Sequence, residues 1–133
     1  MDPVVHFEMP VDDGKRVSEF YSKVFGWQMN QLGPEMGNYL LATTSPMDEN
    51  SMHKNKGAIN GGFFTKSKEN QHPSIVIAVQ DIQKAMKDVE ATGGKVVGAS
   101  KGKEPDNIPG IGLYISIEDT EGNRVGMLQP TAM

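Results

Sequence analysis

The feature that most constrains the fold of this chain is an internal repeat, in which matching positions differ by 68 in residue number. Asp13 and Asp81 each precede a stretch in which apolar residues recur at helical spacing, and they show this offset. The glycines expected to end these stretches, Gly26 and Gly94, show the same offset. Equal offsets at both ends of a helix favour a duplicated unit over two unrelated helices. We therefore expect two copies of one module, spanning about 3–66 and about 72–130.

Each copy combines one helix with four segments of strand character. In the first segment, Val4–Met9, apolar and polar residues alternate, so that Phe7 and Met9 lie on one face and His6 and Glu8 on the other. The predicted strands are, in order, 4–9, 27–31, 39–43 and 58–64, then 74–79, 95–99, 112–118 and 124–129. The resulting order is β-α-β-β-β, twice, and the expected fold class is α+β. Burial of Phe20, Tyr21, Phe25 and Val89 is expected where the helices cover the strands.

Composition excludes several classes of protein. A chain of 133 residues is of the size of one domain. The net charge of −4 and the lack of a Lys/Arg stripe argue against nucleic acid as a partner. No apolar run approaches the roughly 20 residues of a membrane span, and the first residues lack a signal-peptide pattern, so we expect a cytoplasmic protein that binds no membrane. The absence of cysteine excludes disulfides, thiolate metal sites and a cysteine nucleophile.

Three segments carry a family resemblance across nearly the whole chain: His6–Pro10, Phe20–Trp27 and Asp119–Gly126. With the repeat, they resemble the vicinal-oxygen-chelate superfamily, which includes glyoxalase I, bleomycin-resistance proteins and extradiol dioxygenases. The resemblance implies one domain, 1–133, in which two βαβββ modules curl a mixed sheet into a cup. It also implies a small-molecule ligand inside the cup and a homodimer.

Catalytic members of the superfamily usually hold a divalent ion with side chains from the first and last strands of each module. His6 matches the first-strand position. Its counterpart at the repeat offset is Ser74, a poor ligand for such an ion, and the family's last-strand glutamate falls at Gly126. The last strand of the first module, around Gly57–Gly62, carries neither carboxylate nor histidine. We therefore expect no cofactor, with an atypical divalent metal as the remaining alternative.

The candidate site residues have structural alternatives. His6 and Glu8 are the candidates for catalysis, although a strand histidine commonly just bonds a neighbour. His53 and His72, in polar loop-like segments, are expected to be solvated. Aromatic residues could form the wall of a site for a planar ligand, although aromatic residues in strands are more often part of the hydrophobic core. The full set of predicted ligand-binding residues is His6, Glu8, Trp27, Asn60, Phe63 and Tyr114.

Three functions compete at this level. The leading expectation is a bleomycin-resistance-like protein that binds a small molecule in the cup without the usual catalytic metal, and hence no standard metal-dependent enzyme. The alternative is a metal-dependent lyase, isomerase or dioxygenase-type enzyme with an atypical site at His6 and Glu8. The third is a structural or regulatory module whose cup is filled by its own side chains.

Overall fold

The computed structural model describes residues 1–131 and divides them into two compact units. The first unit is His6–Pro73; the second consists of Met1–Val5 and the chain from Ser74 onward. The elements of the first half are β1 (Val4–Val11), α1 (Gly14–Phe25), β2 (Gln28–Gln31), a 3-10 turn (Pro34–Met36), β3 (Leu40–Thr43) and β4 (Asn60–Thr65). Those of the second half are β5 (Ser74–Ala78), α2 (Ile82–Ala91), β6 (Lys95–Gly98), β7 (Asp106–Ile108), β8 (Gly112–Glu118) and β9 (Arg124–Pro130).

The two units share one connectivity. In the first, β1 is parallel to β4, and β4 and β2 flank β3 in antiparallel pairs. In the second, β5 is parallel to β9, and β9 and β6 flank β8 in antiparallel pairs. Parallel pairing of a first and a last strand around a helix, twice, is the arrangement expected from duplication. The predicted α+β fold of two βαβββ modules is confirmed.

Both helices begin at the predicted aspartates. Asp13 Oδ1 accepts the backbone N–H of Arg16 at 3.0 Å, and Asp81 Oδ1 accepts that of Lys84 at 3.1 Å. Each carboxylate thus satisfies one of the amides that the first helical turn leaves unpaired. The end of α2 differs from the expectation, because the left-handed glycine after it is Gly93 (φ 97) rather than Gly94. The offset from Gly26 is therefore 67, since α2 is shorter than α1.

Each unit has its own core between its helix and its strands. In the first unit, buried Leu40, Ala42 and Phe63 are packed by partly buried side chains of β1, α1 and β2. In the second, the buried residues are Val79, Ile82, Val96, Ile115, Ile117 and Met127. Neither helix within residues 1–131 is long and apolar enough to cross a membrane.

The aromatic residues of α1 are less buried than expected. Tyr21 and Val17 pack on the first core, and Val89 of α2 packs on the second. Phe20 and Phe25, by contrast, are 53% and 60% exposed, so the expectation that both are buried was wrong. The apolar stripe of α1 is therefore wider than the part of the helix that packs on the strands. Outside that part, the aromatic rings contact one another: Phe20 and Phe25 lie 6.3 Å apart, edge to face.

Candidate functional site

Strand β1 places His6 and Glu8 on the face of the first unit opposite α1. Phe7 and Met9 pack on the same core as α1, and the hydroxyl of Tyr21 in α1 donates to Sδ of Met9 at 4.0 Å. Since alternate residues of a strand point to opposite sides, His6 and Glu8 face away from the helix. The alternation along the sequence therefore predicted correctly which side chains share a face. We call the face that carries His6 and Glu8 the distal face.

Tyr39, just before β3, links the two candidate residues. Its hydroxyl donates to Oε2 of Glu8 at 2.9 Å and lies 3.0 Å from Nε2 of His6. A phenol has one proton, and Glu8 takes it, so the imidazole must donate in the second bond. This hydrogen-bond network assigns the Nε2–H tautomer to neutral His6 and leaves Nδ1 as its basic nitrogen.

Burial keeps His6 neutral. Removal of the imidazole from water lowers the pKa of His6, and the nearby carboxylate of Glu8 opposes part of this effect by favouring the cation. Desolvation is the larger of the two causes. His6 at neutral pH is therefore an uncharged base joined through Tyr39 to a carboxylate, an arrangement able to exchange hydrogen bonds or protons with a ligand.

Two adjacent glycines in β4 make room for aromatic rings on both sides of the strand. A Cβ added at Gly61 would lie 2.3 Å from the ring of Phe7, and one at Gly62 would lie 2.1 Å from Cε2 of Tyr39. The β1–β4 pairing is continuous here, Phe7 with Gly61 and Glu8 with Gly62. These glycines therefore mark a close approach of aromatic rings to the backbone and not a bulge.

The second unit repeats the tyrosine but not its partners. Tyr114 lies two residues before Ser116, which pairs with Gly126, just as Tyr39 lies two residues before Leu41, which pairs with Gly62. A Cβ at Gly126 would be 2.8 Å from the ring and hydroxyl of Tyr114. The Tyr114 hydroxyl lies 3.4 Å from Oγ of Ser116.

The counterparts of His6 and Glu8 differ in chemistry. At the repeat offset they are Ser74 and Val76, and Val76 pairs with Gly126 as Glu8 does with Gly62. The second unit thus has the tyrosine without an imidazole or carboxylate at these positions. The candidate site is specific to the first unit.

The side chains present do not fit the divalent ion that the family resemblance implies. Within residues 1–131 no group of three or more His, Cys, Asp and Glu side chains is placed to hold a metal ion. His6 Nε2 and Glu8 Oε2 are both engaged by the Tyr39 hydroxyl, and Tyr114 lies over Gly126, where the family glutamate was expected. A catalytic metal site needs three or so converging protein ligands.

The remaining predicted ligand residues lie elsewhere. Trp27 packs in the first core, with its ring 4.6 Å from that of Tyr21, and Phe63 is buried there, so both are away from the distal face. Asn60 pairs with His6 on the distal face, but its Oδ1 accepts the backbone N–H of Thr44 at 3.0 Å. Tyr114 belongs to the second unit. The structure brings together His6, Glu8 and Asn60 of the predicted set.

The two loop histidines differ from each other. His72 is exposed, as expected. His53 is not simply solvated, because it bridges to Met47 and its Nδ1 is shielded from solvent without a hydrogen-bond partner among the described residues. The residues 44–59 therefore contain local order that the polar sequence did not indicate, including Asp48, which accepts the amides of Asn50 and Met52.

Tyr39 is the site residue that was missed. Its counterpart Tyr114 was predicted to bind ligand. The two tyrosines do not differ by the 68 residues that separate the capping aspartates, because β7 lengthens the second unit and shifts the strands that follow it. Alignment of the repeat separately for each strand, rather than at one offset, would have paired them. The engagement of Tyr39 with His6 and Glu8 is a long-range contact that no local pattern signals.

Comparison with known proteins supports the fold. Residues 4–45 match the family model described as "Bleomycin resistance protein-like N-terminal". No curated protein sequence matches the chain.

Several solved structures are similar over nearly the whole chain. A variant of Streptomyces coelicolor methylmalonyl-CoA epimerase in complex with 2-nitronate-propionyl-CoA has a TM-score of 0.67 and 15% identity, covering 98% of this chain and 96% of that one. A hypothetical protein from Bacillus halodurans C-125 has a TM-score of 0.67 and 14% identity, covering 99% of this chain and 96% of that one. Methylmalonyl-CoA epimerase from Mycobacterium tuberculosis has a TM-score of 0.63 and 13% identity, covering 96% of this chain and 87% of that one. The chain has the fold of the vicinal-oxygen-chelate superfamily, and its first strand, helix and hairpin are bleomycin-resistance-like in sequence.

Proposed function

We propose that this protein binds a small organic molecule on the distal face of its first unit and does so without a metal ion. The observation that carries the proposal is the hydrogen-bonded group His6–Tyr39–Glu8, in which a phenol engages the imidazole and the carboxylate together. Half-buried polar groups of this kind fix the orientation of a ligand, while the ring of Tyr39 supplies apolar contact.

The chemistry of the group limits the kind of ligand. Neutral His6 offers a basic Nδ1, and Glu8 offers a carboxylate, so both accept hydrogen bonds from a ligand. Because burial lowers the pKa of His6 and so favours the neutral imidazole, the group presents acceptors rather than a cationic donor to a ligand. A ligand with N–H or O–H donors next to an apolar or aromatic portion fits these features best.

A second candidate function follows from the same group. Proton exchange through His6, Tyr39 and Glu8 would support acid–base isomerisation without a metal, since a neutral imidazole is a competent base near pH 7. The Streptomyces coelicolor epimerase with a similar fold was solved with 2-nitronate-propionyl-CoA. Acyl-CoA thioesters therefore belong among the compounds to be tested. An enzyme that acts through a metal held by His6 and Glu8 has less support, because Tyr39 engages both side chains.

We also propose that the protein acts as a homodimer, on the strength of its resemblance to single-domain members of the superfamily, many of which pair. Sedimentation equilibrium over a range of protein concentrations measures this directly. A mass of about twice the 14.5 kDa of one chain is expected, and a monomer at every concentration would exclude it.

A thermal-shift screen in the presence of EDTA tests the main proposal. The compounds are hydrogen-bond-donating aromatics, cationic drugs and acyl-CoA thioesters, and a true ligand raises the melting temperature in proportion to the logarithm of its concentration. Tyr39→Phe and His6→Ala should each weaken binding of the hit by at least about tenfold. His72→Ala is the matched control, because His72 is exposed and should change nothing.

Two results would overturn the proposal. One is a compound that fails to bind in EDTA and raises the melting temperature only when EDTA is left out and a divalent ion is added. The other is a hit whose affinity depends on Tyr114 and not on Tyr39, which would move the site to the second unit. For the isomerase candidate, solvent-deuterium exchange into an acyl-CoA thioester, lost in His6→Ala, is the expected signature.

A further inference from the structure

We infer that the hydroxyl of Tyr39 stands in the place of a divalent cation in the first unit, so that Tyr39 masks a latent two-residue metal site. The inference deepens the proposed function, because it gives the reason why this face would take an organic ligand rather than an ion. It concerns Tyr39, His6 and Glu8, which are held together by hydrogen bonds of 3.0 and 2.9 Å.

The hydroxyl occupies the position where an ion held by both side chains would lie. An imidazole nitrogen and a carboxylate oxygen both suit divalent first-row metals, and both point here at one atom, Oη of Tyr39. The phenol satisfies both side chains at once, because it donates its proton to Glu8 and accepts the Nε2–H of His6. A metal would instead need Nε2 without its proton, so the phenol and the ion exclude each other.

Gly62 allows the tyrosine ring to lie at this position. Any side chain at 62 would collide with the ring, because even a Cβ would lie 2.1 Å from Cε2 and 2.3 Å from Oη. Position 62 pairs with Glu8 and so faces the same group. While Tyr39 lies here, β4 can supply no ligand beside Glu8, and the ring covers the space that an ion and its waters would require.

The second unit provides an internal control. Tyr114 lies over Gly126 in the same register, but the positions equivalent to His6 and Glu8 hold Ser74 and Val76. Removal of Tyr114 would thus open comparable space without an imidazole or a carboxylate. The inference predicts a gain of metal binding from removal of one tyrosine and not of the other.

The test titrates Ni²⁺ and Co²⁺ alone into the intact protein and its variants by calorimetry and, for Co²⁺, by absorbance. Tyr39→Ala should bind one ion at least about tenfold more tightly than the wild type. Tyr39→Phe, which removes the hydroxyl but keeps the ring, should gain less than Tyr39→Ala, and Tyr114→Ala should resemble the wild type. The double variant Tyr39→Ala with His6→Ala should lose the gain, which assigns the ion to the unmasked site.

A second measurement remains informative even where Tyr39→Ala folds poorly. In wild-type protein, the Nε2–H signal of His6 should persist during Zn²⁺ addition, because Tyr39 holds that nitrogen in its protonated form. Loss of the Nε2 proton on ion binding would overturn the inference, as would a folded Tyr39→Ala with no tighter binding than wild type. Failure of the ligand screen would count against the proposed function and leave these metal titrations unaffected, so the two are separable.

Discussion

The ring of Tyr39 lies over Gly62, so closely that a Cβ at that glycine would be 2.1 Å from Cε2 of the ring. Tyr114 and Gly126 repeat this relationship in the second unit at 2.8 Å. In each case the tyrosine precedes by two residues the strand partner of the glycine, so the pairing register alone places the ring. The relationship therefore arises from the duplicated topology, while the chemistry around it differs between the units.

Substitution of Gly62 by alanine should displace Tyr39. The added methyl requires the ring to move and its hydrogen bonds to His6 and Glu8 to break, so we expect the free energy of unfolding to fall by about 1–3 kcal/mol in urea denaturation. In a Tyr39→Ala background the same substitution should cost much less, because the ring is no longer there. Equal costs in both backgrounds would show that Tyr39 and Gly62 are not coupled.

Tyr39→Phe should destabilise the protein more than Tyr114→Phe. The first substitution removes the hydroxyl that joins two half-buried polar side chains, and we expect a loss of about 1–3 kcal/mol. The second removes a longer contact, 3.4 Å, to the hydroxyl of Ser116. Urea denaturation of both variants, followed by circular dichroism, checks the order; a larger loss for Tyr114→Phe would contradict the assignment of the polar site to the first unit.

The pH dependence of stability should reflect the buried, neutral state of His6. Because burial lowers the pKa of His6 in the folded protein, the unfolded chain binds more protons between the folded pKa and the ordinary value of about 6.5. The His6 contribution to stability is therefore fully present above about pH 6.5 and is lost as the pH falls through the folded pKa. Glu8 reduces this effect, since its carboxylate favours the cation.

His6→Gln should flatten this part of the profile, measured as melting temperature between about pH 7.5 and about pH 5. The exposed His72→Gln is the control and should retain the wild-type slope. A His6→Gln profile as steep as that of wild type would place the titrating group elsewhere.

Loss of either helix cap should weaken the protein by a similar amount. Asp13→Ala and Asp81→Ala each remove one side-chain acceptor from the first turn of a helix, which costs about 1 kcal/mol. Asp12→Ala is a matched control next to Asp13, since Asp12 makes an exposed ion pair with Lys66, and such pairs contribute little. Denaturation midpoints of the three variants decide the prediction, which fails if Asp12→Ala is as damaging as Asp13→Ala.

Much of the fold was predictable because alternation and capping are local. Strand β8 was predicted at its observed bounds, 112–118, and the capping aspartates Asp13 and Asp81 begin their helices as expected. The short strand β7 (Asp106–Ile108) was missed, because three residues with no alternation carry no strand pattern. The exposure of Phe20 and Phe25 was also missed, since an amphipathic stripe does not say how much of itself the strands will cover.

The candidate site was only half predictable. Alternation along β1 placed His6 and Glu8 on one face, but the residue that joins them, Tyr39, comes from a segment distant in sequence. Contact between such segments depends on strand register, which one sequence does not reveal. The same limit applies to Trp27 and Phe63, whose aromatic character fits a ligand wall and a core equally well.

The claim that the site works without a metal depends on which atom lies nearest to Nε2 of His6. A high-resolution crystal structure of protein purified without chelator and crystallised with added Ni²⁺ would identify that atom. The Tyr39 hydroxyl should lie at about the 3.0 Å seen here, with no anomalous density between His6 and Glu8. An anomalous peak roughly 2.0–2.1 Å from Nε2, with Tyr39 turned away, would contradict the assignment of a metal-independent site.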